Sequence, residues 1–451
     1  MQHRPLHPRL AASPAWQATT ITWLRAGGED APLLERRARQ WLMVQPLPPA
    51  DAPCWPGTLP PPEAAEPDPD AVPLARFTGR RAVLAEGVTW LEGRIEADGG
   101  RQRIARLFLE GEPADMLALA AELAEDLPLL PAATSLAEAA LALAEARPPR
   151  ARRSGPADLA GAQTVEAAFL AALAHLQNVL LAETPACRLE AGPRGVHQSR
   201  VAIRRMRSML KLFRPAVDGP GWREWDTQLR DLAQALGAAR DWDVFLAGIG
   251  PGTLAALEGD PRVRRLLGAA TRECHAAYAA LRAFLEGEGF RRTIWLGLQL
   301  GMIRPSMAIE QPLAPFAERL LAKRWKRLKR AGAAMQELDS SALHEMRLDA
   351  KRLRYAAEPF AEIWPSRAAR RFSRRLAGLQ EALGLANDAT VARQLATRLA
   401  GQGAGGFAIG AVTGFAAGRA EGSRSAAIRA WRALRKAGPF WKATPEPDAD
   451  G

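Results

Sequence analysis

The stretch VHQSRVAIRRMRSML, Val196 to Leu210, places one histidine and four arginines in fifteen residues of helix-compatible sequence. A second stretch, LHEMRLDAKRLRYAA, Leu343 to Ala357, repeats those charges at the same spacings. At a constant offset of 147, His197 matches His344, Arg200 matches Arg347, and Arg204 matches Lys351. Arg205 matches Arg352 and Arg207 matches Arg354. The correspondence continues through Phe213 and Phe360, Arg223 and Arg370, Leu229 and Leu376, and Leu232 and Leu379. It ends with ALGAARDWDV (Ala235–Val244) against ALGLANDATV (Ala382–Val391), after 49 residues without a gap. Self-similarity at a fixed period is the signature of a duplicated structural unit, so two related helical halves are expected.

On a helix of roughly 100° per residue, His197, Arg200, Arg204, Arg207, Lys211 and Arg214 step by 3 and 4 and share one side. Val196, Ile203, Met206, Leu210 and Phe213 form a separate apolar stripe, the expected core side. In the second copy His344, Arg347, Lys351 and Arg354 repeat the basic side, with Leu343, Met346, Leu353 and Phe360 on the apolar side. Arg205 and Arg352 fall off the stripe, where pairing with acids is expected. No Asp or Glu occurs between Glu190 and Asp218. Like charges at helical spacing repel, and an ordinary solvated face mixes signs, so a duplicated single-sign stripe points to an anion site. Arginine offers paired planar donors to phosphate oxygens, and lysine offers a point charge. The stripe runs roughly 20 Å, which suits a chain of phosphates better than a single one. The histidines could donate to the same anion, and binding would favour their charged form. Neither has a second histidine or carboxylate at metal-ligand spacing, so no metal and no cofactor are expected.

The whole chain has 451 residues, with 61 Lys+Arg and 49 Asp+Glu. Residues 1–150 hold 15 Arg, no Lys and 20 acids, a net of −5; by difference residues 151–451 hold 46 and 29, a net of +17. A strongly basic balance favours polyanionic partners. The three cysteines, Cys54, Cys187 and Cys274, form no CxxC pair, which suits a reduced, cytoplasmic chain. The N-terminus has no apolar signal-peptide core. GGFAIGAVTGFAAG (Gly405–Gly418) is shorter than the roughly 20 residues that span a bilayer. A packed helix of small residues is expected there, with no membrane insertion.

Residues 1–45 give no clear pattern. Residues 46–73 are dense in proline and read as a loop without regular structure. Short apolar runs broken by glycine predict strands over Arg76–Asp98, with another over Gln102–Glu112. A helix is expected over Pro113–Asp126, then a second Ala-rich helix. RPPRARRSGP suggests a linker at about 147–156. From 157 to 444 the signal is almost all helix, and 445–451 reads as a disordered tail. The fold class is therefore mainly α, with a smaller α+β domain at 1–146.

The two basic copies, the two ALGxAxD segments (Ala235–Asp241 and Ala382–Asp388) and the C-terminal GFAAGRAEG…FWK resemble the CHAD family, the conserved-histidine α-helical domain. The resemblance implies a pair of pseudo-symmetric four-helix bundles whose basic helices converge on a groove binding inorganic polyphosphate. It implies the binding set His197, Arg200, Arg204, Arg205, Arg207, Lys211, Arg214, His344, Arg347, Lys351, Arg352, Arg354 and Tyr355. The basic helix RLLAKRWKRLKRAG adds Lys323, Arg324 and Arg327, while Trp325 within it reads as core. Residues 76–141 are similar to the latter half of a CYTH domain, the triphosphate tunnel fold. That family's N-terminal Glu-x-Glu-x-Lys strand has no counterpart in residues 1–45. Glu110 is the clear acid left in its second acidic strand, and Ser135-Leu136-Ala137-Glu138 has lost the family's lysine. Too few acids and bases remain for a metal-dependent tunnel hydrolase, so a degenerate, non-catalytic domain is expected.

The functional expectation is non-enzymatic polyphosphate binding, extending to association with polyphosphate or storage granules. Nucleic-acid binding is an alternative that the charge permits, without an interleaved aromatic platform or a DNA-reading motif. A metal-dependent triphosphatase is the second alternative.

Overall fold

The computed structural model describes residues 14–25, 33–44, 55, 62–66, 70–147, 157, 159, 161–302, 311–333, 335, 340–402, 405–421 and 423–441. Most of the proline-rich stretch, the linker at 148–156 and the tail lie outside these residues. Contacts divide the chain into two units. One comprises residues 1–155, 177–185 and 285–306; the other comprises residues 156–176, 186–284 and 307–451.

The first unit is built on an antiparallel sheet. Its strands are β1 (Trp16–Arg25), β2 (Leu33–Arg37), β3 (Gln40–Val44), β4 (Glu63–Ala64), β5 (Val72–Ala85), β6 (Val88–Ala97) and β7 (Gly100–Leu109). Their order is β4-β3-β2-β1-β5-β6-β7. The unpatterned N-terminus thus supplies β1 to β3, and β1 lies in the middle of the sheet beside β5. The proline-rich stretch is not wholly irregular: it contributes β4, two residues paired to β3, and the first residues of β5. Helices α1 (Pro113–Asp126) and α2 (Leu136–Ala144) follow. Alternation buries Ile21, Trp23, Phe77, Leu91 and Ile95 on one side of the sheet, where Leu136, Ala140 and Leu141 of α2 cover them. Ser135 caps α2 by accepting from the Glu138 amide. Gly79 and Gly93 pair across β5 and β6. A Cβ on either would lie 2.7 Å from the Phe77 ring, so the paired glycines leave room for that ring in the core. Glu35 is buried and accepts from the Trp23 indole at 2.7 Å.

The repeat organises the second unit. The helices are α3 (Val165–Glu183), α4 (Arg194–Phe213), α5 (Pro220–Ala247), α6 (Ile249–Ala256), α7 (Pro261–Glu286), α8 (Glu288–Met302), α9 (Leu313–Ala331), α10 (Ser340–Phe360), α11 (Arg367–Arg398), α12 (Gly406–Glu421) and α13 (Ser423–Ala437). Of these, α8 belongs to the first unit and α3 and α7 run into it. The sequence offset reappears in the helix ends: α4 stops at Phe213 and α10 at Phe360, while α5 starts at Pro220 and α11 at Arg367.

The expected apolar stripe of α4 is the core side, with Val196, Ile203, Met206, Leu210 and Phe213 all buried. Equivalent residues of the two copies meet there. The rings of Phe213 and Phe360 are 6.0 Å apart, and Phe213 also stacks on Phe316 at 5.4 Å. Phe169, which the offset relates to Phe316, lies 5.3 Å from Phe213. Four aromatic rings, two from each copy, therefore join α3, α4, α9 and α10. Trp325 is core as expected, packed on Phe372 and Trp431. The small-residue stretch forms α12, which buries Ala408, Val412 and Ala416. Among the described residues one helical stretch, Val165–Ala186, is long and apolar enough to cross a membrane, and most of its apolar window is buried.

Candidate anion-binding site

Burying the apolar stripes of α4 and α10 against each other brings parts of their basic stripes together. Arg200 of α4 donates from Nη1 to the Ala233 carbonyl of α5 at 3.2 Å. Its guanidinium fills the space beside Gly237, where a Cβ would lie 2.5 Å from Nη1. The glycine of the first ALGxAxD segment is thus small because an arginine crosses it. One turn further along α4, the Arg204 guanidinium lies over the ring of Tyr355 from α10, 5.0 Å from its centroid. Its Nε is buried with no hydrogen-bond partner among the described residues. Burial, together with Arg200, Arg205 and Arg354, holds Arg204 below the ordinary arginine pKa.

Lys351, the α10 counterpart of Arg204, completes the cluster. Its ammonium is pushed down to about 8, first by burial and then by Arg204, Arg347 and Arg200. Two of those guanidiniums belong to one copy and one to the other. Burial lowers His197 as well, helped by Arg240, Arg204 and Arg200. His197, Arg200 and Arg204 from α4, Arg347, Lys351 and Tyr355 from α10, and Arg240 from α5 therefore form one crowded group. Opposite charge relieves such crowding most effectively.

The remaining expected residues are placed differently. Arg205 and Arg352, which fall off the stripe, do pair with acids: Arg205 Nη2 with Glu358 Oε2 at 3.2 Å, and Arg352 Nη1 with Asp349 Oδ1 at 2.9 Å. Arg354 bonds Glu358 through Nε and donates to Gln380 of α11 at 3.0 Å. Arg207 pairs with Asp226 of α5 at 2.7 Å, and Arg214 with Asp218 at 3.7 Å. On α9, Arg327 bonds Asp349 at 2.8 Å and Arg324 donates to the Arg352 carbonyl at 3.2 Å. Lys211 and Lys323 are exposed. His344 lies in α10, and its side chain is outside the described residues.

The stripe is therefore free of acid along α4 but not in space, because Asp226 of α5 and Asp218 reach Arg207 and Arg214 at its C-terminal end. Sequence reasoning missed Arg240 and Gly237, although both stand in the repeated ALGxAxD segment that could have drawn attention to them. It also missed Glu358 and Gln380, which have no repeat-wide signature.

A family model of the CHAD domain matches residues 168–397, just over half of the chain. This chain belongs to the CHAD family. The CHAD match contains both basic helices and both ALGxAxD segments. Among solved structures, the CHAD domain from the plant Ricinus communis is 29% identical, with a TM-score of 0.52. That similarity covers 64% of this chain and 97% of the plant domain. PptA from Streptomyces chartreusis is 16% identical with a TM-score of 0.48, over 60% of this chain and 100% of that one. None of the curated proteins compared matches the chain.

Proposed function

We propose that this CHAD protein binds inorganic polyphosphate, without hydrolysing it, where the stripes of α4 and α10 meet. The observation that carries the reading is the crowding of Arg200, Arg204, Arg347 and Lys351, drawn from both copies, around one point. Cations held against one another and partly dehydrated gain more from a multivalent anion than solvated ones do. Phosphate oxygens suit the guanidiniums, and a linear polyanion suits cations spread along two helices.

The meeting of repeat-equivalent Phe213 and Phe360 supports two pseudo-symmetric four-helix bundles with the site near their shared axis. In the first unit, the antiparallel sheet with α1 and α2 on a CYTH-like sequence supports descent from the tunnel fold. The catalytic pattern is degraded there: Leu136 stands in the sheet core where the family has lysine, and Glu138 is buried against Arg147 at 2.8 Å. Binding a polymer without cleaving it fits a cytoplasmic protein that attaches to polyphosphate or storage granules.

Titration with long-chain polyphosphate at several salt concentrations tests this reading. Tight binding that weakens steeply with salt is expected, because each phosphate contact releases a counterion. Absence of binding at low salt would refute it, and competition by duplex DNA at equal phosphate would favour nucleic acid instead.

A further inference from the structure

The two copies differ sharply in surface charge outside the site. The first fourteen residues of α5 carry Arg223 and Arg230 with Glu224, Asp226 and Asp231. The equivalent stretch of α11, Arg367–Gln380, carries Arg367, Arg370, Arg371, Arg374 and Arg375 and no acid. All five arginines are exposed. Helix α13 repeats the pattern, with Arg424, Arg429, Arg432, Arg435 and Lys436 exposed and no acid between Ser423 and Ala437.

These helices share one core. Phe372 of α11 lies 5.6 Å from Trp325, which lies 5.9 Å from Trp431 of α13. Phe372 also packs on Phe440 and Trp441 just beyond α13, at 5.5 and 5.3 Å. Helices that bury one side in a common aromatic core present adjoining outer sides, and both rows of cations lie on exposed positions there. Like charges at helical spacing repel, and an anion lying on this surface would relieve that repulsion.

The arginine row occupies the N-terminal half of α11, and further along the same helix Gln380 touches Arg354, one of the cations that act on Arg204. Gln380 of α11 accepts from Arg354 Nη1, and Arg375 precedes it by five residues, about 8 Å along the helix.

We infer that the outer surface of α11 and α13 is a second track for the same ligand. A polyphosphate chain that enters the α4/α10 site continues over these arginines when it is long enough. The inference rests on polyphosphate binding at that site. It makes the protein selective for chain length, because short chains fill the site alone and long chains gain the track. Along α11 the track is one-sided, since the equivalent stretch of α5 mixes acids with its arginines.

The test uses the full chain with the substitutions Arg370→Gln, Arg374→Gln, Arg432→Gln and Arg435→Gln combined, all at exposed positions. Binding of sodium tripolyphosphate and of long-chain polyphosphate is measured for this variant, for the unaltered protein, and for a site variant carrying Arg204→Gln and Lys351→Gln. The expected result is a loss of about tenfold or more for the long chain, with a shallower salt dependence. Tripolyphosphate affinity should be unchanged by the track variant and reduced by the site variant. Unchanged long-chain affinity in the track variant, with reduced affinity in the site variant, would overturn the track and leave the site standing. Equal loss for both ligands in the track variant would overturn chain-length selection. No binding of either ligand by the unaltered protein would overturn the site and the track together.

Discussion

Arg204 and Tyr355 stack across the two copies of the repeat, with the guanidinium 5.0 Å from the ring centroid. The reverse pair cannot form, because the offset relates Arg204 to Lys351 and Tyr355 to Ser208. The two halves are thus equivalent in sequence register but not in chemistry at the place where they meet. One contact there is a cation over a ring, and the other is a lysine among guanidiniums.

Arg204 is the first residue to test. Its charge is partly buried, its Nε has no partner among the described residues, and three other arginines act on it. Replacing a strained buried charge with an apolar chain of similar length is often neutral or stabilising. Arg204→Met should leave thermal stability unchanged or raise it by about 1 kcal/mol. Polyphosphate affinity should fall by 1–3 kcal/mol, roughly the value of a lost charge-assisted contact. Calorimetric melting and a binding titration on the same sample check both parts.

Lys351 gives the site a pH dependence. Its folded pKa of about 8 lies below the ordinary 10.5. Between those values the unfolded chain binds the proton more readily, so this residue makes stability rise with pH across that window. Anion binding favours the charged form, so affinity should fall as pH rises through about 8. Lys351→Arg, which installs the residue the first copy already uses, should flatten the affinity profile there. Parallel pH titrations of both proteins make the comparison.

Helix α12 carries Gly406, Gly410, Gly414 and Gly418 at four-residue spacing, and a Cβ at each would meet nothing within 4 Å. Glycine in an open helix costs about 1 kcal/mol relative to alanine. Gly410→Ala and Gly414→Ala should each stabilise the protein by about 0.5–1 kcal/mol in chemical denaturation.

The sequence made α4 and α10 readable because their apolar and basic positions follow one helical period and occur twice. Phe213 and Phe360 were expected on the core side of each copy, and they meet in the core. Strands β1 to β3 were not legible: each is five to ten residues long, and Arg36, Arg37 and Gln40 around their tight turn mask the alternation. The site was legible as a row of charges but not as a shape. The i,i+4 spacing of Arg354 and Glu358 is a local signal, but nothing local told that Glu358 would also neutralise Arg205 while Arg204 and Lys351 were left among cations. That division depends on which helix packs on which, a tertiary fact without a periodic signal.

The most direct measurement is calorimetric titration of long-chain polyphosphate into four proteins. These are the unaltered chain, Arg200→Gln with Arg204→Gln, Arg347→Gln with Lys351→Gln, and all four substitutions together. A shared site predicts one class of binding in the unaltered protein, weakened by either pair and nearly lost with both, while circular dichroism stays helical. Two independent and equal sites, each removed by one pair, would contradict it, as would affinity that neither pair changes.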